Sequence, residues 1–394
     1  MGHRMRRRIM LIAAVGLVVV GLIGCDEPAI MDTSVRVAEA MGGDTTGFAR
    51  ATEVREFVFP ADHGPHPEYR VEWWYYTGNL TAADGRRFGY QFTLFRVALT
   101  PSDSVLAART SGWAANQFYM GHVGVSDIDG GRFYDFERFS RGAAGLAGAR
   151  GVPFRVWLED WEAAAAGDST EAFPPMRVRA MEDGVGFDLL LTPAKPPVLQ
   201  GDRGLDPKGP GPGNASYYYS FTRLATTGTV LLDGEPVAVT GLSWMDREWS
   251  TSALADGQQG WDWFALQLSN GDDLMYYQIR EADGTPGPYS SGVLVDPDGR
   301  KTDFGREAVR LRVTDTWTSP VSGATYPAGW RLVIPDRAVD LTIEPLLADQ
   351  EMDVSVRYWE GAVQIDGTVR GEPVTGRGYV EMTGYGDEAA MPAS

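Results

Sequence analysis

Short runs of alternating apolar and polar residues recur from about residue 55 to residue 385, separated by turns rich in glycine and aspartate. Glu72-Trp73-Trp74-Tyr75-Tyr76 is the clearest of them. Side chains of a strand alternate with a period of two, so Glu72, Trp74 and Tyr76 share one face and Trp73 and Tyr75 the other. Asp84-Gly85 then leads into an aromatic strand at 88–96, a hairpin signal. The same pattern predicts strands over 118–128, 154–161, 176–181, 185–191, 216–224, 229–232 and 236–244, with turns at Asp183-Gly184 and Asp233-Gly234. No stretch of ten residues or more carries a convincing helical period. Many short strands with glycine-rich turns predict an all-β fold of sandwich or barrel type.

A second unit opens at Gly260-Trp261-Asp262-Trp263-Phe264, turns at Asn270-Gly271 and returns through Tyr276-Tyr277-Gln278-Ile279-Arg280. It repeats the plan of residues 73–96: a tryptophan-rich strand, a glycine turn, then a Tyr-Gln strand ending in arginine. Further strands are expected at 291–295, 309–313, 330–334, 339–344, 354–358, 361–365 and 376–383. The resulting division is a leader at 1–25, a tether at 26–52, a first β-domain at 53–255 and a second at 256–388.

Charge narrows the possible partners. The chain of 394 residues has a formal net charge of −18, and its lysines are Lys195, Lys208 and Lys301. Such a surface repels nucleic acid, which is not expected as a partner. The N-terminus is the exception. Arg4, Arg6, Arg7 and Arg8 precede an apolar run at 9–24 that ends Leu22-Ile23-Gly24-Cys25. The run has the length of a signal-peptide core and is short for a membrane span. The expectation is export, cleavage before Cys25 and lipidation of that thiol, leaving the protein anchored in the cell envelope and facing the periplasm. Cys25 is the single cysteine, so no disulfide forms within the chain.

Candidate chemistry centres on Trp244-Met245-Asp246-Arg247-Glu248-Trp249, where three charges sit between tryptophans at the end of an apolar run. Burying them is costly unless they are paired or used. Trp244, Asp246 and Glu248 share one strand face, and Met245, Arg247 and Trp249 the other. One reading is a structural ion pair of Arg247 with an acid on a neighbouring strand. The other is an acid kept protonated in an aromatic cavity between or within two barrels, able to protonate an alkene while indole faces stabilise the cation. Asp262 is a second candidate acid if it faces that space; if Trp261 and Trp263 face it, they form a ligand wall instead. Glu72, Trp74 and Tyr76 are candidates for lining the first barrel, with His63 at its mouth. His63, His66 and His122 show no metal-binding spacing, no cofactor is expected, and no serine or cysteine nucleophile motif is present.

Taken together, Glu72-Trp-Trp-Tyr-Tyr-Thr-Gly78, the strand at 88–96, Trp244-Met-Asp-Arg-Glu-Trp249, Gly260-Trp-Asp-Trp-Phe264, Tyr358-Trp-Glu-Gly361 and Gly378-Tyr-Val-Glu-Met-Thr-Gly-Tyr385 resemble the carotenoid 1,2-hydratase/AttH-like family. The resemblance implies two lipocalin-like antiparallel β-barrels in tandem, packed side by side. It also implies an apolar, lipid or isoprenoid-like ligand and, in some members, an ABC-transporter permease as partner. The first functional reading is therefore an exported lipoprotein that binds an apolar small molecule. The alternative is an enzyme: a hydratase or cyclase with Asp246, Glu248 or Asp262 as acid or, third in order, a hydrolase using paired carboxylates. The resemblance leads one to expect a histidine near 244–263 in hydratases, and this sequence has none after His122. A dry cavity whose carboxylic acid lacks a cationic partner favours the enzyme.

Overall fold

The computed structural model describes residues 45–101, 115–251, 254–255 and 257–386. All of them lie in one compact unit, Ser34–Ser394. The expected leader with Cys25, and the tether as far as residue 44, lie outside the described residues. Within residues 45–52, Phe48 and Ala51 are buried, and Ala49 N–H donates to Glu68 O at 3.0 Å.

The chain is nearly all strand. The first sheet contains β1 (Val71–Ala82), β2 (Arg87–Ala98), β3 (Gln117–Asp127), β4 (Arg132–Arg141), β5 (Ala147–Gly151), β6 (Phe154–Leu158) and β7 (Trp161–Ala165). It continues with β8 (Met176–Glu182), β9 (Val185–Pro193), β10 (Val198–Leu199), β11 (Leu205–Pro207), β12 (Ala215–Leu232) and β13 (Glu235–Ser250). The second sheet contains β14 (Gln258–Leu268), β15 (Asp273–Glu281), β16 (Ser291–Val295), β17 (Lys301–Gly305) and β18 (Arg310–Thr318). β19 (Thr325–Ile334), β20 (Val339–Pro345), β21 (Glu351–Met352), β22 (Tyr358–Val369) and β23 (Glu372–Thr383) complete it.

The first sheet runs β4-β3-β2-β1-β13-β12-β9-β8-β7-β6-β5 and curls into a nearly closed barrel. The second runs β17-β16-β15-β14-β23-β22-β20-β19-β18 and forms a half-barrel. In each sheet the first strand pairs antiparallel with the last, β1 with β13 and β14 with β23. The internal repeat of the sequence thus corresponds to the same strand order, β2-β1-β13-β12 in one sheet and β15-β14-β23-β22 in the other.

Some element boundaries differ from the sequence pattern. The strands expected at 216–224 and 229–232 are one strand, β12. Gly228 lies inside it at φ +152°, where a Cβ would stand 2.2 Å from Asp188 O, so this glycine admits a close backbone neighbour rather than ending the strand. The strand expected at 154–161 is two, because Glu159 adopts a left-handed φ of 58° and turns the chain between β6 and β7. β4 escaped the pattern because its residues are nearly all half-buried, without clear alternation.

Alternation sorts the side chains into three apolar layers. Trp74, Tyr76, Phe92, Trp161, Phe187 and Trp249 are among the residues that fill the first barrel. Phe264, Leu266, Trp330 and Trp359 fill the concave side of the second sheet. Tyr75, Tyr218, Trp244, Trp263, Tyr277 and Tyr379 form a third layer between the sheets. Polar ties close that seam. Asp273 of the second sheet meets Lys195 Nζ at 2.7 Å and Arg223 at 2.6 Å, and Gln267 donates to Thr222 O at 2.8 Å.

Inside the first barrel, Glu72 is fully buried between Arg96 and Arg247, also fully buried. His66 N–H donates to both Glu72 oxygens at 3.1 Å, and Arg247 donates to Gly64 O at 2.6 Å. Arg247 also stands 4.0 Å over the Trp74 ring, and His66 stacks on Trp249 at 3.8 Å. Burial alone would push the Glu72 carboxyl up, but the two guanidinium groups and His66 hold it well below the usual range. Arg247→Met leaves Glu72 with one arginine in a dry site. Its expected cost is roughly 3–5 kcal/mol of unfolding free energy, read by urea denaturation. A loss below about 1 kcal/mol would show that Arg96 and His66 suffice.

Candidate functional site

Between the two sheets lies a cavity of about 100 Å³, walled by outward-facing residues of both. Strand register builds its first wall. One row across the first sheet is Tyr218–Glu248–Trp73–Phe95–Met120, on β12, β13, β1, β2 and β3. The row above it on the same face is Ser220–Asp246–Tyr75–Thr93–His122. The second sheet supplies the facing row Tyr277–Trp263–Glu381–Glu360, on β15, β14, β23 and β22. Trp261, Tyr358 and Lys208 complete the part of the wall that matters here.

Four acids thus face an aromatic space. Asp246 accepts hydrogen bonds from the Tyr218 and Ser220 hydroxyls and from Trp244 Nε1 at 2.7 Å, and no arginine reaches it among the described residues. Burial pushes its carboxyl up to about 6 against the pull of those donors. Burial likewise raises Glu248 to about 7, with Lys208 at 3.5 Å opposing. Glu381 accepts from Trp261 Nε1 at 3.1 Å; burial, with Asp246 and Glu248 nearby, raises it to about 8. Glu360 is fully buried and sits directly opposite Glu381 on the neighbouring strand. Burial and the Glu381 charge push it well above the carboxylate range, and its one donor is the Tyr75 hydroxyl at 2.8 Å. Like charges in direct cross-strand register repel, so at neutral pH this pair keeps a proton.

Two further groups flank the acids. Lys208 Nζ lies 2.6 Å from Asp206 and over the Tyr277 ring at 4.0 Å. His122 Nδ1 is 2.6 Å from the Tyr358 hydroxyl, and its Nε2 is 2.9 Å from Glu137.

Of the residues singled out by sequence, Asp246, Glu248, Trp261 and Trp263 line the cavity. Trp244 stands behind Asp246 as a donor and packs edge-on against Trp263 at 6.1 Å. Since Trp261 and Trp263 face the cavity, Asp262 faces away. It is buried on the concave side of the second sheet, 3.2 Å from Arg280 and 2.9 Å from the Tyr385 hydroxyl. Glu72, Trp74, Tyr76, Arg247 and Trp249 also lie away from the cavity, inside the first barrel. His63 is there too, 2.6 Å from the Tyr219 hydroxyl, with its imidazole lowered to about 4 by burial. Buried side chains line that interior, and the cavity lies between the sheets rather than within the first barrel.

Glu360, Glu381, Lys208, His122 and Tyr358 were not singled out from sequence. A signal for the two glutamates existed: Tyr358-Trp359-Glu360 and Tyr379-Val380-Glu381 place an acid two residues from a tyrosine on a strand face, much as Trp244 precedes Asp246. Among the described residues, no group of three or more His, Cys, Asp or Glu is arranged for a metal ion.

The comparisons with known proteins agree with this architecture. Residues 50–385 match the family model described as AttH-like. Kievitone hydratase of Fusarium solani subsp. phaseoli is 24% identical over 213 residues, 52% of this chain and 59% of that protein. The match therefore spans less than two thirds of that relative's length. The crystal structure of an AttH protein from Nitrosomonas europaea superposes with a TM-score of 0.75 at 34% identity, covering 86% of this chain and 100% of that one. Kievitone hydratase from Nectria haematococca shares the fold at a TM-score of 0.63 and 16% identity, over 86% of this chain and 98% of that one. With the family model matching most of the sequence and the fold shared throughout, the chain belongs to the AttH-like family.

Proposed function

We propose that the chain is a hydratase-type enzyme that adds water across an alkene of an apolar substrate held between the two sheets. The observation that carries this reading is the set of buried carboxyls without arginine partners among the described residues, facing an aromatic cavity. The similarity to kievitone hydratase supports the reaction class.

In this reading Glu381, protonated at neutral pH, gives its proton to one alkene carbon, and the π pair forms the new C–H bond. The cation left on the adjacent carbon lies against indole and phenol faces, which attract positive charge. Water attacks that carbon, and ionised Asp246 takes the proton that the water releases. Passing this proton back to Glu381 restores both groups. The Asp246 carboxylate is aimed by Tyr218, Ser220 and Trp244, which also keep it ionised. An apolar-ligand carrier is the second reading, favoured by the tryptophan walls of the cavity.

The reading extends to location. Arg4, Arg6, Arg7, Arg8 and the sequence Leu22-Ile23-Gly24-Cys25 support an exported protein lipidated at Cys25. It would work at the periplasmic face of a membrane, with an ABC-transporter permease as the partner that the family resemblance suggests.

Incubation with prenylated or isoprenoid alkenes in heavy-oxygen water is expected to give a labelled alcohol, detected by mass spectrometry. The rate should rise as pH passes up through about 6, when Asp246 ionises, and fall through about 8, when Glu381 loses its proton. Glu381→Gln and Asp246→Asn should each lower turnover by roughly 10²–10⁴-fold. Full activity in both variants would remove the assignment, and ligand retention without any labelled product would favour the carrier. Separately, Cys25→Ser should move the protein from the membrane to the soluble fraction of the cell envelope; unchanged fractionation would count against lipidation there.

A further inference from the structure

One end of the cavity already holds an ammonium group. Lys208 Nζ stands 4.0 Å from the centre of the Tyr277 ring and 5.0 Å from that of Tyr218, within the range of cation–π attraction. Asp206 at 2.6 Å and Glu248 at 3.5 Å balance its charge. Tyr277 is one end of the second-sheet row, and Glu360 is the other.

The Glu360 end has acids and rings too, but among the described residues no lysine or arginine pairs with them. Glu360 and Glu381 face each other across neighbouring strands. The Tyr75 hydroxyl holds one oxygen of Glu360, and Trp261 Nε1 holds one of Glu381. Glu360 lines the cavity and is fully buried, yet among the described residues its Oε1 has no hydrogen-bond partner. A buried carboxyl oxygen without a partner is costly, and in the ionised form what it lacks is a donor. A protonated amine supplies up to three donors and the positive charge that two facing carboxyls call for.

We infer that the Glu360–Glu381 end of the cavity seats the protonated amine of an amphiphilic ligand, whose apolar part lies along the tryptophan walls. The inference rests on the cavity being the ligand site, as in the hydratase reading, but not on water addition. Ammonium is also the stable counterpart of the positive charge that an alkene acquires on protonation, so one arrangement of carboxyls and rings serves both.

Hexylamine and 1-hexanol separate charge from size, since both have the same apolar chain. Binding of each to the full chain is measured by titration calorimetry and by quenching of tryptophan fluorescence. At about pH 8 the amine is expected to bind at least roughly tenfold more tightly than the alcohol. Cation binding favours ionised carboxyls, so the amine should release protons on binding, seen as heats that vary with the buffer. Its affinity should increase as pH rises through about 8, whereas that of hexanol should not. Glu360→Gln should abolish the amine preference and retain hexanol binding. Hexanol binding as tightly as hexylamine, or a preference that survives Glu360→Gln, overturns the inference. If that variant does not fold, proton release and the pH dependence of the unsubstituted protein decide alone, and their absence overturns it. A missing amine preference with labelled alcohol still produced leaves the hydratase reading standing. Turnover lost in Glu381→Gln, with amine preference present in the unsubstituted chain, supports both.

Discussion

Glu72, clamped between Arg96 and Arg247, decides which way two strands face. A strand has only two faces, and a residue fixed on one fixes its neighbours on the other. Arg247 points inward to meet Glu72, so Asp246 and Glu248, on either side of it, must point outward. On β1 the same logic turns Glu72, Trp74 and Tyr76 inward and sends Trp73 and Tyr75 to the cavity. A one-residue slip would put a bare carboxylate against the second sheet and a guanidinium in the cavity. The ion cluster therefore specifies register at least as much as it adds stability.

Burial acts on every acid in this region, yet the outcome differs between the two faces of one sheet. In the barrel, two arginines and His66 overcome the desolvation of Glu72 and hold it ionised. In the cavity, Glu360 and Glu381 meet hydroxyl and indole donors and each other, so desolvation wins and both carboxyls are pushed up. Asp246 lies between these limits: it is as buried as its neighbours, but three neutral donors pull it back toward the ionised form. Acids of unequal strength in one space are what proton transfer at neutral pH requires.

Much of this was legible in the sequence. The alternation, the Asp-Gly turns and the second tryptophan-rich opening predicted two β-units, and the split of 244–249 into two faces holds in β13. Which face meets ligand was not legible, because strand period states parity and leaves open which side is filled. Glu72 and Asp262 were candidates for that reason; Arg280 and Tyr385 hold Asp262 on the far side, and Glu72 forms with Arg247 the cross-strand ion pair that the charge cluster also suggested. Glu360 and Glu381 escaped because their partners are remote in the chain: Tyr75 reaches Glu360 only once the two sheets are packed, and Trp261 meets Glu381 only once β14 pairs with β23. His122 escaped likewise, since its contacts with Glu137 and Tyr358 come from β4 and from the other sheet.

Buried apolar side chains fill the first barrel and the cavity lies on its outside, so the barrel core and the cavity wall are written on alternate residues of the same strands. Substitutions at outward positions can exchange one acid or aromatic group for another while the inward positions that hold the barrel together stay as they are. A protein that shares this architecture at 16% identity shows how far a sequence can drift while the fold is kept.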